Sequence, residues 1–195
     1  MPLNAIPPTT TLANLNEKTL AAQGQCLVDV AFWGGVIPGN QDHLLPLVKA
    51  GVKGFKCFLI DSGVDEFPCV SADDLETSMA VLQVSGPFLM IMDAGSVLMF
   101  HAELDSRKAA IGTEGTSGVT TWNEQEEDPN LYASFLASRK PRLELDAIEL
   151  VIRLNKKFPK LRTHIVHLSA ADALPMIREA REIHGLPLTT EKNIK

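Results

Sequence analysis

Positive charge is in the minority in this chain. Its 18 Lys and Arg stand against 24 Asp and Glu, a net charge of -6, and no basic stripe is clustered anywhere. That balance argues against a nucleic-acid partner, whose phosphates call for a cationic face. Long apolar runs are missing as well. The greasiest stretch, residues 87–92 with 96–100, is broken by Asp93 and Gly95. It falls short of the ~20 consecutive apolar residues that span a bilayer. The opening MPLNAIPPTTTL has neither a basic nor an apolar leader region, so no secretory signal is expected. Cys26, Cys57 and Cys69 are odd in number and follow no CxxC spacing, which predicts free, buried thiols in a reducing compartment. No GxGxxG or GxxxxGK[ST] follows an apolar run, which removes the usual nucleotide-binding fingerprints. These absences together predict a soluble, cytoplasmic chain without internal repeats.

What is present is an alternation of apolar runs and helix-like stretches. Strands are predicted over 27–33, 53–60, 96–101, 162–168 and from 186 onward. Helices are predicted over 16–24, 42–50, 71–82, 132–137, 143–157 and 170–184, with Gly51 and Gly185 as stops. A long polar connection after residue 101 carries GTEGTSGVTTWNEQEEDP; connections of that length are usually functional or mobile. Strands alternating with helices imply a parallel α/β sheet in a single domain over 1–195. Either an open doubly wound sheet or a segment of a barrel fits. The 195 residues are fewer than the roughly 250 of a complete (β/α)8 barrel.

Three residues at the ends of apolar runs draw attention: Lys56 in GVKGFKCFLIDSG, His101 in SVLMFHAEL and His167 in RTHIVHLS. Barrel enzymes carry their chemistry at the carboxyl ends of strands, and imidazole is a common ligand for zinc-like metals. A pair of ordinary core or rim histidines is the alternative. His164 lies three residues before His167, which alternation places on the opposite side of the strand, leaving His167 as the inward one. His43 and His184 fall in helices and read as surface residues. Lys56 sits between Phe55 and Phe58, where an unpaired ammonium is costly. It is expected to be carboxylated, to snorkel to the rim, or to pair with a carboxylate such as Asp29. Asp29 itself points into the barrel or caps the strand. Glu103 is either a partner orienting His101 or a surface acid. The acidic stretch 124–128 reads as a solvated loop.

With these residues in place, the chain resembles the amidohydrolase superfamily, and within it the allantoinases of fungal type. The segments that carry the resemblance are VDVAFWGG, PLVKAGVKGFKCFLIDSGVDEFP, VLMFHAEL, DPNLYASFLASRKP, HIVHLS and GLPLTTE. The resemblance implies a partial (β/α)8 TIM barrel, about strands two to six, and a metal-dependent hydrolysis of allantoin to allantoate. It implies two divalent metals, zinc as a rule, bridged by a carboxylated lysine that matches Lys56. His101 and His167 match the histidines that hold the second metal. The family's first-strand His-x-His pair and its late aspartate, the general base, have no counterpart here, so no residue is assigned as catalytic. At most one metal is expected to be well liganded, with weak or absent turnover. Residues 84–92, VSGPFLMIM, look inserted and offer FLMIM as a competitor for the strand slot of 96–101. The expected partner is a small molecule, with no nucleic acid and no membrane, and the family is often homo-oligomeric. Alternatives are a catalytically dead fragment acting as an interaction partner, a dihydropyrimidinase- or dihydroorotase-type hydrolase, or an open-sheet binding protein.

Overall fold

The computed structural model describes residues 2, 5–84, 95–106 and 130–192. Five parallel strands form one sheet in sequential order: β1 Gly34–Gly35, β2 Gly54–Phe58, β3 Val97–His101, β4 Arg162–Leu168 and β5 Leu188–Lys192. α1 Leu12–Ala22 precedes the first strand, and between the strands run α2 Gln41–Lys49, α3 Ala72–Val84, α4 Tyr132–Ser138, α5 Pro141–Lys157 and α6 Leu174–Glu182. A 3-10 turn, Ala171–Ala173, leads into α6. Sequential parallel order with a helix at each crossover is the local pattern of a β/α barrel.

Side chains alternate strictly across β2 and β3. Phe55, Cys57, Leu98 and Phe100 face the helices in the main apolar core, where Ile148, Val151 and Leu154 of α5 meet them as that helix's buried stripe. The other face carries Lys56 in register with Met99, Met99 with His164, and His164 with Thr189. One step along, Phe58 pairs with His101, and His101 with Val166. The candidate residues therefore stand in two adjacent rows on the face away from the helices.

Helix ends follow local chemistry. The Ser71 hydroxyl accepts from the Asp74 amide while Asp74 accepts from the Ser71 amide, a reciprocal cap that opens α3. Gly51 and Gly185 turn the chain after α2 and α6 with φ of +99° and +61°, where a side chain would be strained.

Two expectations give way. Residues 27–33 are not a strand: the ladder begins only at Gly34, and Leu27, Val28 and Val30 are exposed at 102%, 76% and 51%. Alternation in sequence cannot make a strand without a neighbouring backbone to pair with. Asp29 is consequently exposed and lies outside any strand. Of the cysteines, all three are free but only Cys57 is buried. The FLMIM segment and most of the polar connection lie outside the described residues; the contested slot, between β2 and β4, is filled by Val97–His101. Among the described residues, no helix is long and apolar enough to cross a membrane.

Candidate functional site

Lys56 is 2% exposed and lies in the middle of a strand whose neighbours on both sides are buried. Its Nζ has no hydrogen-bond partner among the described residues and rests 5.0 Å from the centroid of the Phe58 ring. Neither the snorkelling lysine nor the Lys56–Asp29 pair is formed. Desolvation lowers the Lys56 pKa from 10.5 to about 8, partly opposed by the adjacent Cys57 sulfur and the Glu191 carboxylate. The same burial pushes the Cys57 thiol up to about 12, so it stays protonated and unreactive at neutral pH.

Phe58 links the lysine to the histidines. The His101 ring stacks on it at 4.9 Å and 18°, and the His167 ring stands edge-on to His101 at 6.0 Å and 68°. Glu103 follows His101 by two residues and sits 3.9 Å from its Nε2, while Arg139 donates to the same carboxylate oxygen at 2.7 Å. The Glu103 carboxyl is held at about 2, first by the nearby His101 imidazole, then, against the cost of burial, by the Arg139 charge. Glu103 thus pairs with Arg139 and faces His101 across 3.9 Å.

His167 reaches this face by an irregularity. Strict alternation along β4 would send Thr163, Ile165 and His167 toward the helices. The register with β5 slips between Ile165 and Leu168, so that Val166 and His167 share the place opposite Glu191. His167 takes a φ of +66°, unusual for a residue with a Cβ, and Leu168 returns to the core at 6% exposure. The extra residue swings His167 to the side of Lys56 and His101. His164 was already there by register, so the expectation that the two histidines oppose each other is overturned. His164 Nε2 and His167 Nδ1 lie 4.0 and 3.7 Å from the two Glu191 oxygens, and His164 Nδ1 is 2.8 Å from the Thr189 hydroxyl. Burial, with a smaller contribution from the Lys56 charge, lowers the His164 pKa, and Glu191 opposes it.

His43 and His184 stay away from this face, in or after helices. Glu191 and Arg139 were not singled out from sequence. Period-two spacing from Leu188 would have placed Thr189 and Glu191 on the face opposite the core, a signal for the first. Nothing local marks Arg139, whose partner is 36 positions away.

Among the described residues, no three His, Cys, Asp or Glu side chains converge to hold a metal ion. A protonated Lys56 has no lone pair to offer a cation.

No protein-family model matches the chain. Individual proteins do. The mitochondrial allantoinase of Aquarana catesbeiana is 50% identical over 193 residues, which is 98% of this chain and 34% of that protein. The Saccharomyces cerevisiae allantoinase is 43% identical, covering 98% and 37%. That of Streptomyces avermitilis is 40% identical, covering 98% and 38%. The similarity extends beyond fungal-type enzymes, since the frog protein shares more residues than the yeast one. Among solved structures, the L-hydantoinase (dihydropyrimidinase) of Arthrobacter aurescens superposes with a TM-score of 0.76 at 26% identity, covering 99% of this chain and 38% of that one. A Campylobacter jejuni dihydroorotase, at 13% identity and a TM-score of 0.59, supports the fold alone. These neighbours are barrels of which this chain covers a minority, so the five-stranded sheet is a partial TIM barrel. The chain spans about a third of the length of the curated relatives it matches. Over 98% of its own length the chain is similar to these allantoinases.

Proposed function

We propose that this chain is the metal-binding segment of a cyclic-amide hydrolase acting on allantoin, with Lys56, His101 and His167 as its ligands and zinc as the metal. The observation that carries the reading is the orphaned Lys56 Nζ, buried on the same sheet face as two histidine rings 6.0 Å apart. A buried amine with a pKa of about 8 is neutral in an appreciable fraction of molecules near pH 7. Its lone pair attacks carbon dioxide and loses a proton, leaving a carbamate whose oxygens supply the donor the two histidines lack. Lys56, His101 and His167 fit a divalent cation in that form. A cation held there would polarise an amide carbonyl and would make hydroxide available at neutral pH.

The chain's own residues do the rest. Phe58 stacks on His101 and walls one side of the site, keeping water from the lysine. Glu103, fixed by Arg139, faces one His101 nitrogen and would leave the other ring nitrogen for the cation. Glu191 does the same for His167. The ring opening of allantoin to allantoate belongs to the complete protein, of which relatives are about three times as long. The alternative is a segment without turnover that acts through association.

Metal analysis and an allantoin assay on this chain, beside Lys56→Ala and His167→Ala, test the reading. One bound zinc lost in both variants, and a bicarbonate-dependent mass increase of one carbon dioxide lost in Lys56→Ala, are expected. Zinc binding unchanged in both variants would sink it.

A further inference from the structure

The junction between α4 and α5 touches both histidine-bearing strand ends. Arg139, just after α4, donates to Glu103 at 2.7 Å, two residues beyond His101. Leu104 N–H donates to the Leu143 carbonyl at 2.8 Å, tying the β3 exit to the first turn of α5. One residue further, Glu144 is 6% exposed and crosses to the other strand. Its carboxylate accepts three hydrogen bonds, from Ser169 N–H, Ser169 Oγ and Ala170 N–H, each 2.8 Å long. Ser169 comes two residues after His167, immediately beyond the positive-φ bulge.

A buried carboxylate is costly unless fully hydrogen-bonded, and this one is bonded to a single turn. An acid in a helix's first turn ordinarily needs no partner beyond the helix's own amides. Glu144 reaches away from them. A strained residue such as His167 persists only where its surroundings over-determine it. The Glu144 grip lies on the exit of that strained turn. Its neighbour Arg139 grips the exit of β3, so one short segment sets both ends of the ring pair.

We propose that residues 139–144 are a positioning clamp: Arg139 through Glu103, and Glu144 through Ser169 and Ala170, fix His101 and His167 relative to each other. That the clamped pair serves a cation rests on the reading above; the clamping does not. Neither residue touches substrate or metal.

The test uses the full chain with Glu144→Gln, Arg139→Gln and Ser169→Ala. Asn155→Ala is the control for lost stability, because Asn155 hydrogen-bonds at the far end of β4. In metal-free protein, the nuclear Overhauser effect between the His101 and His167 rings reports the clamp directly. Cobalt(II) titration, followed by visible absorption, reports its consequence. Glu144→Gln and Arg139→Gln are expected to weaken the ring-to-ring signal and to lower cobalt affinity roughly 10–100-fold, as loss of an orienting partner does. Ser169→Ala removes one bond of three and loses less. Asn155→Ala is expected to melt earlier with both readouts intact. Unchanged ring signals in Glu144→Gln and Arg139→Gln would overturn the clamp, as would equal loss in Asn155→Ala. Should wild type fail to bind cobalt while the ring signals respond as expected, the clamp stands and the metal-site reading falls. If Glu144→Gln does not fold, Arg139→Gln and Ser169→Ala decide.

Discussion

Replacing Lys56 by methionine is expected to stabilise the chain at neutral pH while removing the residue on which the proposed site depends. The ammonium is 2% exposed, has no hydrogen-bond partner among the described residues, and lies 5.0 Å from the centroid of the Phe58 ring. Its pKa falls from 10.5 to about 8. At about 1.4 kcal/mol per unit, holding the proton costs the fold about 3 kcal/mol. Methionine keeps the length of the stem and carries no charge to desolvate. The dependence on pH is specific. Below pH 8 both folded and unfolded chains are protonated and the whole cost is present. Between 8 and 10.5 the unfolded chain binds more protons than the folded one, so stability rises with pH. Above 10.5 the cost is gone. Urea unfolding of both proteins in bicarbonate-free buffer, from neutral pH to above 10.5, measures this. A stabilisation of about 3 kcal/mol at neutral pH that closes at high pH is expected. A gap absent at neutral pH, or one that does not change with pH, would refute the assignment of a buried, uncompensated ammonium.

Other outcomes follow from the same geometry. Asn155 donates to the Phe158 and Leu161 carbonyls and accepts from Thr163, so Asn155→Ala should lower unfolding free energy by about 2–3 kcal/mol in urea titrations. A Cβ on Gly54 would come within 2.6 Å of the Val97 carbonyl, which cannot yield without parting β2 from β3. Gly54→Ala is therefore expected to cost at least about 2 kcal/mol, read as a lower melting temperature. The Glu103 carboxylate, with its pKa lowered from 4.5 to about 2, contributes stability present above 4.5 and lost as pH falls toward 2. The stability difference between wild type and Arg139→Gln should narrow across that window; a difference constant down to pH 2 would count against the pair.

Much of the architecture was legible because its signals are local. The strand at 162–168 and the helix at 143–157 show their periods in the sequence, and Gly51 and Gly185 mark their turns by needing a positive φ. The strand expected over 27–33 failed for a non-local reason: the Lys53 N–H reaches the Phe32 carbonyl, but the paired ladder with the β2 backbone starts only at Gly34. At the site, Lys56 and His101 could be placed by counting along their strands, since β2 and β3 keep strict register. His164 and His167 could not, because one extra residue in β4 relative to β5 reverses the parity between them.

The sequence by itself determined that three nitrogen-bearing side chains sit within or at the end of three apolar runs in a parallel α/β chain, since strand period and charge in an apolar context are properties of neighbours along the chain. Only the tertiary structure decided that both His164 and His167 turn to Glu191. It also decided that Lys56 has no hydrogen-bond partner among the described residues, and that Arg139 and Glu144 bond to the segments just beyond β3 and β4. Those outcomes depend on register slippage and on contacts between residues far apart in the chain, where the packing of one element on another, not local propensity, selects the geometry.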